Sequence, residues 1–175
     1  MRNSIRTACG RQIVIPARAL AHLEAHPEVA GILPEAANRL VMPPRRGFVE
    51  AEVDMGRVVG RSGLVRIPHG SADTPMLFAT RVGRPAPSRV VPDDTPCEET
   101  NKVVIVAQPN RDDDSTYALV TSWIGSLSHK EPWDRNIKTD SERQYCLRFW
   151  CSHALIHNPA VMGYIFESTW RDVLA

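Results

Sequence analysis

The sequence predicts an α+β protein: N-terminal helices packed on a four- to six-stranded antiparallel sheet, with a C-terminal helical extension. Three observations predict it. Proline-punctuated segments before residue 42 carry apolar residues at helical spacing. From Phe48 to Ile124, short runs of β-formers recur between turn-forming clusters, a rhythm typical of an antiparallel sheet. Beyond Thr139 the pattern turns helical again. We expect an α+β domain over 1–138 and the helical extension, 139–175, packed on it.

The elements follow in order. Residues 1–11 form a frayed lead-in and Gln12 to Ile15 a short apolar run. Pro16 suits the first turn of a helix that runs to about His26, with Leu20 and Leu23 on its apolar face. His22 and His26 stand four apart and so share one side of it. Pro27 closes or kinks that helix, and a second begins near Pro34, packing through Ala36, Ala37, Leu40 and Val41. Pro43-Pro44-Arg45-Arg46-Gly47 is a stiff connector.

Strands are then expected at Phe48–Val53, within Gly56–Gly63, and at Leu64–Ile67, Met76–Val82, Ser88–Val91 and Lys102–Ala107. Asn110 to Asp114 reads as a hairpin turn into a strand from Thr116. In that strand Tyr117, Leu119, Thr121 and Trp123 are expected on one face, and Gly125 ends it. Thr139 or Ser141 caps the next helix, with Glu142 in its first turn, and Asn158-Pro159 ends it. A short docking helix is expected over Ser168–Leu174.

Bulk composition narrows the function classes. The 175 residues are 43% hydrophobic and 23% charged, with net charge +1, which argues against coating nucleic acid through bulk charge. No secretory signal and no apolar run long enough to span a membrane is evident, so the reduced cytoplasm is the expected location, with delivery into another cell left open. Cys9, Cys97, Cys146 and Cys151 are scattered without a Cys-x-x-Cys pair.

Three groups of residues carry chemistry. His22 and His26 are candidate acid and base, since imidazole exchanges protons near neutrality; the rival reading is a pair of surface histidines. Between Met55 and Pro92 stand Arg57, Arg61, Arg66, Arg81, Arg84 and Arg89, with Asp73 the one acid and no lysine. Arg81, Arg84 and Arg89 are candidate phosphate ligands, with Ser88 or Thr80 as hydroxyl donor; a solvated sheet face explains them equally. The strand end at Thr121-Ser122-Trp123 leads into a loop carrying His129, Lys130, Glu131, Trp133 and Asp134. Trp123 and Trp133 offer stacking faces for unpaired bases or, alternatively, pack in the core. His22/His26 and His153/His157 also have the four-residue spacing of metal ligands on a helix, but neither pair has a carboxylate ligand beside it, and no metal or cofactor is expected.

The order of these elements resembles the barnase–EndoU–colicin–RelE-like ribonuclease group. The residues that carry the resemblance are the helix-borne histidines of Leu20 to Pro27, the basic strands Ala79-Thr80-Arg81 and Ser88-Arg89, and Thr121-Ser122-Trp123, which matches a Thr/Ser-x-aromatic signature. It covers roughly residues 12–126. It implies metal-independent RNA cleavage, in which a base activates the 2′-hydroxyl, the phosphate is attacked, and an acid protonates the leaving 5′-oxygen. Many relatives are toxins, which implies an immunity or antitoxin protein as partner. The group's aromatic is often tyrosine, whereas the Trp123 indole donates a hydrogen bond but cannot transfer a proton.

The expectation is therefore an RNA endonuclease. His22 or His26 is its acid/base, Arg81, Arg84 and Arg89 hold phosphate, Thr121 supplies a site hydroxyl, and His129 and Lys130 stand in reserve. A non-catalytic RNA- or protein-binding module on the same fold is the alternative, and a metal-dependent hydrolase using the paired histidines is the third reading.

Overall fold

Pro27 does more than close the first helix; it opens the second. In the computed structural model, which describes residues 4–175, α1 spans Ala17–Ala25, α2 spans Pro27–Arg39, and His26 is the junction between them. Proline at the first helical position and Glu28 in the first turn both favour a helix start. Pro34, expected to begin this helix, lies exposed inside it. Because α2 ends at Arg39, Val41 is exposed while Ala36, Ala37 and Leu40 are buried.

The chain forms two compact units. One takes the chain up to Ser62 and again over Glu99–Leu127; the other takes Gly63–Glu98 and Ser128–Ala175. The α+β class is thus present, but as two five-stranded mixed sheets and a two-stranded one rather than one antiparallel sheet.

The first unit holds strands β1 (Ser4–Arg6), β2 (Gln12–Val14), β3 (Val49–Asp54), β4 (Gly60–Arg61), β8 (Glu99–Thr100), β9 (Lys102–Pro109) and β10 (Thr116–Ile124). Five of these form a sheet in the order β1-β2-β10-β9-β3, with β4 and β8 paired separately. The β9–β10 hairpin is the one expected, while β2 runs parallel to β10, so the all-antiparallel expectation fails here. Local patterning identifies strands but not their partners, and the long connection from β2 to β10, which begins with α1 and α2, is not written in either strand. Ile13, Leu23, Leu33, Val103, Ile105, Tyr117 and Leu119 belong to the core shared by the helices and this sheet.

β10 has a bulge. Leu119 pairs with Ala107 and Thr121 with Val106, leaving Val120 unmatched. The extra residue reverses the alternation. Tyr117 and Leu119 face the core, then Ser122 and Ile124 take that side, while Thr121 and Trp123 turn to the other. The single shared face expected for Tyr117, Leu119, Thr121 and Trp123 is therefore corrected.

The second unit holds β5 (Leu64–Arg66), β6 (Met76–Arg81), β7 (Ser88–Val91), α3 (Asp140–Trp150), β11 (His153–Ile156), β12 (Met162–Ser168) and α4 (Trp170–Leu174). Its sheet has the order β12-β6-β7-β11-β5, with β11 parallel to β7. The expected C-terminal helical extension is corrected by β11 and β12. Leu155-Ile156 and Tyr164-Ile165-Phe166 are good strand formers that complete this sheet. Met76, Phe78, Trp150, Cys151 and Trp170 form its core, with Trp133 and Phe149 packed against it. Thr139 caps α3 by accepting from the Glu142 N–H at 3.1 Å. Among the described residues no helix is long and apolar enough to cross a membrane.

Candidate functional site

On α1, Ala19 and Leu23 point into the core, which leaves His22 on the shoulder of the helix, half-buried. That shoulder meets an open edge. The pairing of β2 with β10 stops at Val14–Ala118, so the following part of β10 has no strand neighbour on that side. His22 fills the gap. Its Nε2 lies 3.2 Å from the Ser122 carbonyl oxygen; a carbonyl only accepts, so Nε2 donates. The Thr121 hydroxyl is 3.4 Å from the same nitrogen. The His26 ring lies 4.7 Å from that of His22, centroid to centroid, and its Nδ1 donates to Glu28 at 3.2 Å. α1 thus places His22 beside Thr121. Ser122, the alternative hydroxyl, is fully buried and donates to the Val104 carbonyl at 2.7 Å. Trp123 is half-buried, its indole donating to the Ser126 carbonyl at 3.1 Å.

The remaining candidates belong to the second unit. Arg84 is exposed, in the turn after β6, where its N–H donates to the Arg81 carbonyl at 3.1 Å and Gly83 takes a left-handed φ of 73°. The Arg81 guanidinium is partly exposed and sits 3.6 Å from the Glu131 carboxylate. Arg89 and Ser88 are enclosed instead of presented. Ser88 has no exposure, and Arg89 is buried with its guanidinium donating to the Trp150 carbonyl at 2.6 Å. The expected phosphate-binding roles of Arg89 and Ser88 therefore do not match their surroundings: on β7 both side chains are buried. The six-arginine stretch is also divided, with Arg57 and Arg61 on the first unit and Arg66, Arg81, Arg84 and Arg89 on the second.

The loop after residue 127 is held at several points. The Trp150 indole donates to the carbonyls of His129 and Lys130, at 3.2 and 3.0 Å, and the Trp133 indole donates to the Pro87 carbonyl at 3.0 Å. Trp133 is thus a packing residue with a satisfied N–H. Lys130 pairs with Glu142 at 2.9 Å, which raises the lysine above its ordinary value. His129 lies against Phe149, centroids 4.3 Å apart, and edge-on to Tyr145. Burial, then the nearby His153, pushes its imidazole below the usual range.

Sequence reasoning missed the role of Glu131 in this loop. It is 8% exposed, faces Arg81, and burial pushes its carboxyl above the usual value, with Ser88, Arg81 and Arg84 acting in opposition. Flanking Pro132 and Trp133 are the one local hint that the segment packs inward.

The metal reading loses its second pair. His153 begins β11 and His157 follows its end, so an extended chain separates them by about 13 Å instead of one helical turn. Among the described residues no group of three or more His, Cys, Asp or Glu side chains comes together to hold a metal. Comparison with protein-family models, curated proteins and solved structures finds no match to this chain.

Proposed function

We propose that this protein is a metal-independent RNA endonuclease that uses the 2′-hydroxyl of its substrate as nucleophile. The observation that carries the reading is the approach of His22 Nε2 to the Thr121 hydroxyl, 3.4 Å, at the open edge of β10 with the His26 ring alongside. Two neighbouring imidazoles meet the minimum requirement of this chemistry. One takes the 2′-hydroxyl proton as the oxygen attacks phosphorus; the other gives a proton to the departing 5′-oxygen, leaving a 2′,3′-cyclic phosphate. Thr121 supplies a hydrogen bond at the same place. On the second unit, Arg81 and Arg84 are proposed as a phosphate contact of its own, through their guanidinium groups. The resemblance to the barnase–EndoU–colicin–RelE-like group gives the same chemistry, and by that analogy a toxin role with an immunity or antitoxin partner.

One observation favours the second reading, a non-catalytic RNA- or protein-binding module. His22 satisfies the Ser122 carbonyl on an edge strand, a task that is structural in itself.

The deciding experiment incubates purified protein with single-stranded and structured RNA in EDTA, alongside His22→Ala, His26→Ala and Arg84→Ala. Cyclic-phosphate products that vanish in a histidine variant support the endonuclease. Binding without cleavage supports the module. Cleavage that appears only when metal is restored moves the reading to the metal-dependent hydrolase.

A further inference from the structure

We propose that Arg81 and Arg84 hold the oxyanion of a phosphate group, and that Glu131 gates this site by competing for the same guanidinium groups when it is ionised. The proposal rests on reading these arginines as phosphate ligands, but not on RNA cleavage.

Glu131 is an ill-satisfied acid. Its side chain is 8% exposed, and among the described residues its Oε1 has no hydrogen-bond partner. Its Oε2 stands 3.6 Å from Arg81 Nη1, well beyond the length of a charge-assisted hydrogen bond. The Ser88 hydroxyl, fully buried, is near enough to influence the carboxyl, yet it too lacks a partner in bonding geometry among the described residues. A buried carboxylate left this incomplete is costly, and taking up a proton relieves it. Burial favours the protonated form most strongly and Asp134 adds to it; Ser88, Arg81 and Arg84 oppose it.

Protonation changes what the arginines face. Arg81 and Arg84 repel each other, and the loop acid Glu131 is their local counter-charge. With Glu131 neutral, two cations remain close together without it. The Arg84 backbone bond to the Arg81 carbonyl fixes the turn that carries both residues, and the exposure of Arg84 gives a ligand its approach. A tetrahedral oxyanion supplies the missing charge. Protonated Glu131 is then an O–H donor behind it, with bonding capacity left unused. The indole bonds from Trp150 and Trp133 and the bond from Arg143 to the Pro132 carbonyl hold the loop in place, so the acid is fixed beside the arginines.

The test is calorimetric titration of the full chain with sulfate, which remains a dianion throughout, from about pH 5 to pH 8. Wild type is expected to bind at the acid end and to weaken by up to about tenfold per pH unit once Glu131 ionises. Glu131→Gln keeps the shape of the neutral acid and is expected to bind across the range without that dependence. Arg84→Ala, an exposed change that leaves the fold intact, is expected to weaken binding about tenfold or more. A deoxydinucleotide, carrying one phosphodiester and no 2′-hydroxyl, tells the source: the same pH profile assigns the site to a nucleic-acid backbone, and binding of sulfate alone assigns it to a free dianion. Identical pH profiles for wild type and Glu131→Gln would overturn the gate. Absence of sulfate binding to Glu131→Gln at either end, or indifference to Arg84→Ala, would overturn the site. Gated sulfate binding without RNA cleavage leaves this proposal standing while the endonuclease falls; cleavage with ungated binding does the reverse.

Discussion

The Arg89 guanidinium donates to the Trp150 carbonyl at 2.6 Å, where α3 ends. Helix C-termini leave carbonyls without partners and carry partial negative charge, so a cation there serves both needs. Burial lowers the proton affinity of Arg89, as expected for a cation taken out of water. Its role is therefore to join β7 to the end of α3, and with it the Trp150 indole that holds the 129–131 loop.

Removing that join should cost stability before anything else. Arg89→Ala is expected to lower unfolding free energy by about 2–3 kcal/mol, the cost of a buried charge-assisted bond and its stranded carbonyl. Urea unfolding followed by tryptophan fluorescence measures it. Arg89→Lys should recover only part of the loss, because an ammonium cannot reproduce the planar fork. A stable, well-folded Arg89→Ala protein with reduced anion binding would restore the phosphate-ligand role first expected for this residue.

His22 has two tasks that substitution can separate. His22→Ala strands the Ser122 carbonyl and should cost about 1 kcal/mol of stability. His22→Gln keeps an N–H donor at a similar reach and should recover most of that loss. Neither variant retains a titratable nitrogen, so both should lose about 100-fold or more of any RNA cleavage. Cleavage that survives in His22→Gln would make His22 a plug for the strand edge and nothing further.

Much of the first group was legible in the sequence. The four-residue spacing of His22 and His26 and the β-rich run ending at Trp123 are local patterns, and the fold sets His22 beside both His26 and Thr121. The bulge at Val120 was not legible, since one unmatched residue leaves no mark on composition. Nor was the burial of Ser88 and Arg89. An arginine on a strand looks the same in sequence whether it faces water or a helix end, and α3 is supplied by a distant part of the chain. Glu131 failed to stand out for the same reason, because its partners Arg81 and Ser88 lie on β6 and β7. The C-terminal strands were hidden differently. Tyr145 to Leu155 is apolar enough to continue as a helix, and only pairing with β7 and β5 makes β11 extended.

His129 should make the protein less stable in mild acid. Its folded proton affinity lies below the ordinary value, through burial first and His153 second, so the unfolded chain binds the proton more readily. Stability from this group is fully present above the unfolded pKa and falls as pH drops from about 7 toward the lower folded value. Thermal unfolding midpoints across that range should fall, and His129→Phe should flatten the trend. His153→Ala should move the His129 titration, followed by NMR, back upward. An unchanged His129 titration in that variant would show that burial alone sets it.

Gly163 on β12 gives the most local prediction. A Cβ built there overlaps the Thr80 hydroxyl of the neighbouring strand β6, far inside contact distance. Thr80 is β-branched and stiff at its first torsion, so it yields only by leaving its rotamer or by moving the strand. Gly163→Ala is expected to destabilise by about 1–3 kcal/mol in chemical unfolding. Thr80→Ala alone removes an exposed hydroxyl and should cost little. The double variant should recover most of the loss, giving a coupling near the full single-variant effect. Additive effects would mean that the penalty comes from the glycine backbone, and the packing of β12 against β6 would then tolerate a side chain at this position.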